Sequence, residues 1–199
     1  KNNKKVPTDI LQLVRTLKAS FALVYNVETT SSIDYSLQNV KSFDEVPAVL
    51  YSALFLKSKG KFHDALILFE NILNFYNQNL ESVQGKAYIG TAASTISILV
   101  SEGKYKRAEF LLNKAFGVAQ QKKMNAVKLR SLYLQRGALY LSLKNYDLSL
   151  LDLQEAKRAY EQINDNTLQY SSCLSALSTL YLEQQEYALS RIYADESLY

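Results

Sequence analysis

The chain has 199 residues, 48% of them hydrophobic and 21% charged, far from the composition of a disordered protein. Its 23 basic and 19 acidic side chains are interspersed, which excludes the one-sided basic stripe of a nucleic-acid binder. No run approaches 18 apolar residues, so no membrane span is expected, and a single cysteine, Cys173, excludes an intrachain disulfide.

The opening "KNNKK" reads as a solvated tail. Pro7 and Thr8 then introduce "TDILQLVRTLKASFALVYNVE" (residues 8–28), whose apolar residues recur at helical spacing. "SSIDYSLQNVKSF" predicts a second, shorter helix. We read residues 1–45 as an atypical capping helix pair, as expected of a terminal repeat with a neighbour on one side only. "DEVPAVLYSALFLK" follows with acidic residues and Pro47 in its first turn, both suited to a helix N-terminus.

From residue 46 onward one arrangement repeats. "GKFHDALILFENI", "GKYKRAEFLLNKA", "LKNYDLSLLDLQEA" and "QEYALSRIYADES" align on Phe62, Tyr105, Tyr146 and Tyr187, which are 43, 41 and 41 residues apart. A fixed period in this range marks a solenoid. Two Gly-Lys-aromatic turns, one "KNY" and one "QEY" mark the same corner, and a Gly or Asn there suits the left-handed residue that ends one helix before the next begins. After the corner, small residues stand at Ala65, Ala108, Ser149 and Ser190. Phe69, Leu112, Leu153 and Ala194 come four later, and Ile72, Ala115, Ala156 and Ser197 three beyond those. These spacings put all three positions on one helical face. Before the corner, Tyr133, Gly137 and Tyr140 are matched by Leu174, Ser178 and Tyr181. The unit is therefore two antiparallel helices crossing at small residues.

This pattern resembles the tetratricopeptide repeat, whose large, small and aromatic positions before the turn and small, large and small positions after it are matched by Tyr133, Gly137, Tyr140, Ser149, Leu153 and Ala156. No proline closes the repeats, and the period is 41 rather than 34 residues. Longer helices of this kind resemble the subfamily in bacterial peptide-responsive regulators, sensor proteins and kinesin light chains. The resemblance implies an all-α fold: a right-handed α-α solenoid of about five antiparallel helix pairs. Four of them fill residues 46–199. Without a charged or glycine-capped last turn after "RIYADESLY", the chain reads as a piece of a longer protein.

Residues suited to chemistry are sparse. His63, the lone histidine, has no second nitrogen or sulfur ligand near it and is expected to be exposed. Cys173 has no base within reach and reads as a buried thiol. No phosphate loop, GxSxG elbow, HExxH or EF-hand pattern occurs. Asp152 and Glu155 are expected on a solvated outer face. The 15 tyrosines read mainly as packing groups, with rings between helices and hydroxyls toward water. "QQKKMNAVKLR" is too small a basic cluster for single-stranded nucleic acid. The chain is read as non-catalytic, without metal or cofactor.

The resemblance further implies that the first helix of each pair lines a concave groove. Its groove positions are Leu50 and Leu54, Ala93 and Ser97, Leu134 and Ala138, and Ser175 and Thr179, flanked by Tyr51, Ser94, Gln135 and Ala176. Chaperone-binding members grip a C-terminal carboxylate with lysine, asparagine and arginine there. Such residues are missing here, which argues against that role. The expected partner is a protein or peptide, bound in the groove by shape and a few hydrogen bonds. A static scaffold, or a homo-oligomer formed through terminal or convex surfaces, is the competing expectation.

Overall fold

The computed structural model describes residues 40–165 and 167–198. The expected N-terminal helix pair lies almost wholly outside them. Among the described residues the chain is all-helical, with eight helices and no strand. It divides into two compact units, residues 1–83 and 84–199.

In the first unit, α1 (Val46–Ser58) and α2 (Phe62–Gln78) pack together as a pair. Pro47 sits in the first turn of α1, where its missing N–H is needed least. Val49, Ala53 and Leu56 are buried on α1, as are Ala65, Phe69 and Ile72 on α2. Phe43, just ahead of α1, stands edge-on to Phe75 with ring centroids 4.9 Å apart.

The second unit holds α3 (Gly85–Ser101), α4 (Tyr105–Gln121), α5 (Ala126–Ser142), α6 (Tyr146–Glu161), α7 (Leu168–Glu183) and α8 (Tyr187–Glu196). Each odd-numbered helix pairs with the one after it. In addition α3 packs on α5 and α5 on α7, while α4 and α6 each pack on the first helix of the following pair. Adjacent pairs thus stack in a solenoid-like arrangement.

All four corners are built alike. At the first, the Gly60 N–H donates to the Lys57 carbonyl and the Lys61 N–H to the Leu56 carbonyl, the bond pair of a Schellman motif. The same two bonds recur at Gly103, Lys144 and Gln185. The motif needs a left-handed residue, and φ is +71° at Gly60, +69° at Gly103, +58° at Lys144 and +64° at Gln185. Asn145, one of the residues expected to take this conformation, instead caps α6. Its side chain accepts from the Leu148 N–H, and the strained backbone falls on the lysine before it. Left-handed backbone hurts a residue with a Cβ, so these two corners are less favourable than the glycine ones.

The small positions are where the helices cross. Ala65, Ala108, Ser149 and Ser190 are all buried. In the third pair the Ser149 hydroxyl donates to the Gly137 carbonyl at 2.9 Å; in the fourth, the Ser178 hydroxyl donates to the Ser190 carbonyl at 2.8 Å. Phe69, Leu112 and Leu153 fill the space beside these crossings, and Ile72, Ala115 and Ala156 lie beneath them, all buried. In the last pair Ala194 and Ser197 are only half-buried.

The helices also explain why the first period is two residues longer. Helices α2 to α5 each have 17 residues, and the surplus lies in the connection 79–84, against 122–125 in the next repeat. The connection 162–167 is as long as the first, but α6 and α7 are each one residue shorter.

Candidate functional site

Because α3, α5 and α7 lie side by side, their uncovered faces form one surface. Its accessible line runs through Gly90, Ser94 and Ser97 on α3, Ser131, Gln135 and Ala138 on α5, and Ser172, Ala176 and Thr179 on α7. Spacings of four and three keep each set on one stripe of its helix. A Cβ on Gly90 would meet nothing within 4 Å, so the backbone is open there.

The expected groove residues separate into groups. Ser97 and Ala138 are half-buried, and Ser175 and Thr179 are exposed. Ala93 and Leu134 are buried. Leu134 belongs to a cluster with Leu153, Ala156, Tyr160, Cys173, Leu177 and Leu180, because α7 lies against that edge of α5. Ser175 holds the same phase on α7 and is exposed, since among the described residues no further first helix follows α7. Ser94 and Gln135, expected only as flanking residues, stand on the accessible line. In the first unit, Leu50 and Leu54 are half-buried on α1, beside half-buried Tyr51.

Four hydroxyls of this surface are turned inward. Ser97 donates to the Ser94 carbonyl, Ser172 to Leu168, Ser175 to Ser171 and Thr179 to Ser175, all at 2.8–3.0 Å. Each hydroxyl has a single proton, so what remains outward is oxygen lone pairs. Gln135 alone on this line adds amide N–H groups. Between Ser131 and Ser142 the one charged side chain of α5 is Arg136, and it is engaged elsewhere. The nine positions of the line carry no charge, with exposed Lys86 and Glu183 one turn beyond its ends on α3 and α7, and the four inward-bonded hydroxyls offer acceptors.

Arg136 marks the main departure from expectation. Asp152 does not lie on a solvated face: it is 6% exposed, and its two oxygens accept from Nε and Nη2 of Arg136, both at 2.7 Å. The guanidinium also lies over the Phe116 ring, 4.4 Å from its centroid, and near Tyr133 at 5.7 Å. The hydrogen bonds it donates to Asp152 hold Arg136 charged to still higher pH than usual. This cluster ties α4, α5 and α6 together. A partner 16 residues away has no local spacing signal, so the periodicity could not show it. Glu155 is half-buried and pairs with Arg158 at 3.1 Å.

Further ion pairs secure the connection after α6. Arg130 reaches Asp165 at 3.0 Å and stacks over Tyr160, 5.4 Å from its ring centroid. Burial alone would raise the Asp165 carboxyl; hydrogen bonds from Thr167 and Arg130 outweigh it and hold the group below the usual carboxylate range. Lys157 pairs with Glu161 and Glu196, while the Tyr170 hydroxyl lies within 3.2 Å of both carboxylates, joining α6, α7 and α8.

The other expected sites sit as follows. Cys173 is buried, its thiol donating to the Leu153 carbonyl at 3.3 Å, and burial pushes its pKa up to about 12. His63 is exposed on the first turn of α2. Among the described residues, no group of histidine, cysteine and acidic side chains could hold a metal ion, and no helix is long and apolar enough to cross a membrane. Of the corner aromatics, Tyr105 and Tyr146 are half-buried, and the Tyr146 hydroxyl reaches Glu183 at 3.2 Å; Tyr187 is exposed.

No protein-family model and no curated protein sequence matches this chain. Among solved structures, it is similar to the crystal structure of BtubC (BKLC) from P. vanneervenii, with a TM-score of 0.62 over 94% of this chain and 72% of that one. At 13% identity the likeness concerns the fold: both are stacked helical pairs.

Proposed function

We propose that this chain is a non-catalytic, tetratricopeptide-type binding module that takes a protein segment or peptide on the face of its first helices. The observation that carries this reading is the uncharged accessible line across α3, α5 and α7. First helices touch one another directly, whereas second helices reach the next pair through its first helix. The first-helix side is therefore the tighter, inner side, where a solenoid holds an extended ligand. With the hydroxyl protons of Ser97, Ser172, Ser175 and Thr179 donated to helix carbonyls, these positions offer acceptors to a ligand that brings donors. Backbone N–H groups of an extended peptide or amide side chains meet that need, and a carboxylate does not. Module and ligand would belong to a larger regulatory assembly in which occupancy alters the stacking of successive pairs.

The test is selection of displayed random peptides on the full 199-residue chain, followed by titration of the selected peptides against variants. Ala138→Arg and Ser97→Arg place a bulky cation on the line at half-buried positions and should weaken binding at least about tenfold. Selected peptides should be poor in acidic residues. Failure to enrich any peptide, or binding indifferent to both substitutions, would sink the proposal.

A further inference from the structure

Helix α7 carries an apolar stripe whose counterparts on the earlier first helices are covered. Leu168, Ser175 and Leu182 are seven residues apart, which sets them on one side of the helix. Leu168 is 82% and Leu182 54% exposed, and Ser175 between them is exposed too. The same phase on α5, 41 residues earlier, holds Val127, Leu134 and Leu141. There Leu134 is buried and the other two are half-buried, with Leu134 and Leu141 packed against Cys173, Leu177 and Leu180 of α7. On α3 the phase passes through Ala93, which is buried where α5 packs.

What covers this phase within the chain is therefore another first helix. Among the described residues none follows α7, and the stripe on α7 is complementary to itself. Consider a two-fold axis that crosses α7 at Ser175, perpendicular to the helix and in the plane of contact. It lays Leu168 on Leu182 and Leu182 on Leu168, with the smallest side chain of the three at the closest approach. No charged residue stands on the stripe. The two helices run antiparallel, so each N-terminus lies beside the oppositely charged dipole end of the other.

We propose that this stripe joins two copies of the chain in an isologous dimer, α7 against the partner's α7. Leu168 packs on the partner's Leu182, Leu182 on the partner's Leu168, and Ser175 meets the partner's Ser175 on the axis. The contact carries the stacking of first helices from one copy into the next. It leaves the accessible line open: α5 keeps Gln135 and Ala138 only half-buried although α7 covers Leu134 beside them. The line of one copy is thereby continued, in the reverse sense, by the line of the other. Association needs no ligand, so it stands or falls apart from the peptide-binding reading.

Sedimentation of the full chain without peptide, from micromolar to near-millimolar concentration, should show a monomer–dimer equilibrium that stops at two copies. Leu168→Asp and Leu182→Lys each set a charge against leucine and should weaken association at least about tenfold. An acid suits the N-terminus of α7 and a base its C-terminus, so circular dichroism should show the helix content unchanged. Combined in one chain, the two substitutions put opposite charges face to face and should restore association in part at low salt. Leu151→Asp, on the outer side of α6, should change nothing. Ser175→Cys should crosslink two copies under oxidised glutathione, whereas buried Cys173 leaves the parent chain uncrosslinked. A chain that remains monomeric throughout overturns the proposal. So does a dimer indifferent to Leu168→Asp and Leu182→Lys, a combination that restores nothing, or a dimer lost with Leu151→Asp. Ser175→Cys that fails to crosslink would overturn it as well, as would a mass that grows beyond two copies, the mark of a head-to-tail contact.

Discussion

Gly137→Ala isolates what the helix crossing in the third pair requires. Gly137 lies inside α5, where exchanging glycine for alanine normally stabilises a helix by about 1 kcal/mol. Here the added Cβ would stand 2.7 Å from Leu153 Cγ, 2.8 Å from its Cδ2 and 3.3 Å from its backbone nitrogen. Leu153 is fully buried within its cluster, so it has little room to retreat. Overpacking of this kind costs about 1–3 kcal/mol, which offsets or exceeds the propensity gain. Gly117 on α4 is the matched control: it is also mid-helix, and its Cβ would meet nothing within 4 Å. Denaturant unfolding followed by circular dichroism should show Gly117→Ala more stable than the parent chain by about 1 kcal/mol. Gly137→Ala should fall about 1–3 kcal/mol below that control, and the deficit should shrink when Leu153 is also cut back to alanine. Equal gains from the two alanines would refute the close crossing.

Lys144→Gly should stabilise the chain by about 1 kcal/mol, because it relieves a left-handed residue, and Gly103→Ala should destabilise it similarly; thermal unfolding reads both. Arg136→Ala leaves buried Asp152 without its partner and should cost on the order of 3 kcal/mol in denaturant unfolding. Arg136→Lys should recover only part of this, since it loses both the two-pronged contact and the stacking on Phe116. Asp165 has its carboxyl held below the usual range in the folded chain. Its contribution to stability is therefore complete above the unfolded value of about 4 and is lost as pH falls through the lower folded value. Asp165→Asn should be less stable than the parent at neutral pH, and the gap should close on acidification. A gap that is constant with pH would contradict the assignment.

The sequence pattern carried the pairing of helices, the four corners and the buried small and large positions, because each is a local spacing repeated in phase. It went astray where one repeat meets the next. Leu134 and Ala138 share a helical face by periodicity, yet α7 covers the first and leaves the second open. Asp152 stands three residues after Ser149 and four before Ala156, at the phase of Leu68, Leu111 and Tyr193; its acidic character suggested an outer place, but Arg136 from the preceding helix lets it stay on the inward face. At the third corner, asparagine is the better left-handed residue by propensity, but the motif's hydrogen bonds fix the position and lysine occupies it. In each case the deciding contact joins residues with no fixed local spacing.

Each repeat has two joints that differ in length. The corner between paired helices always spans the same number of residues, whereas the connection to the next pair, although it opens with the same two backbone hydrogen bonds at Lys123–Met124 and Asn164–Asp165, is four residues long in one repeat and six in two others. Insertions and deletions should accordingly be absorbed at residues 79–84, 122–125 and 162–167. A residue added at a corner would turn the small crossing positions away from each other. A tag, a cleavage site or a fluorophore placed in the longer connections would report on the stack without unpicking a pair.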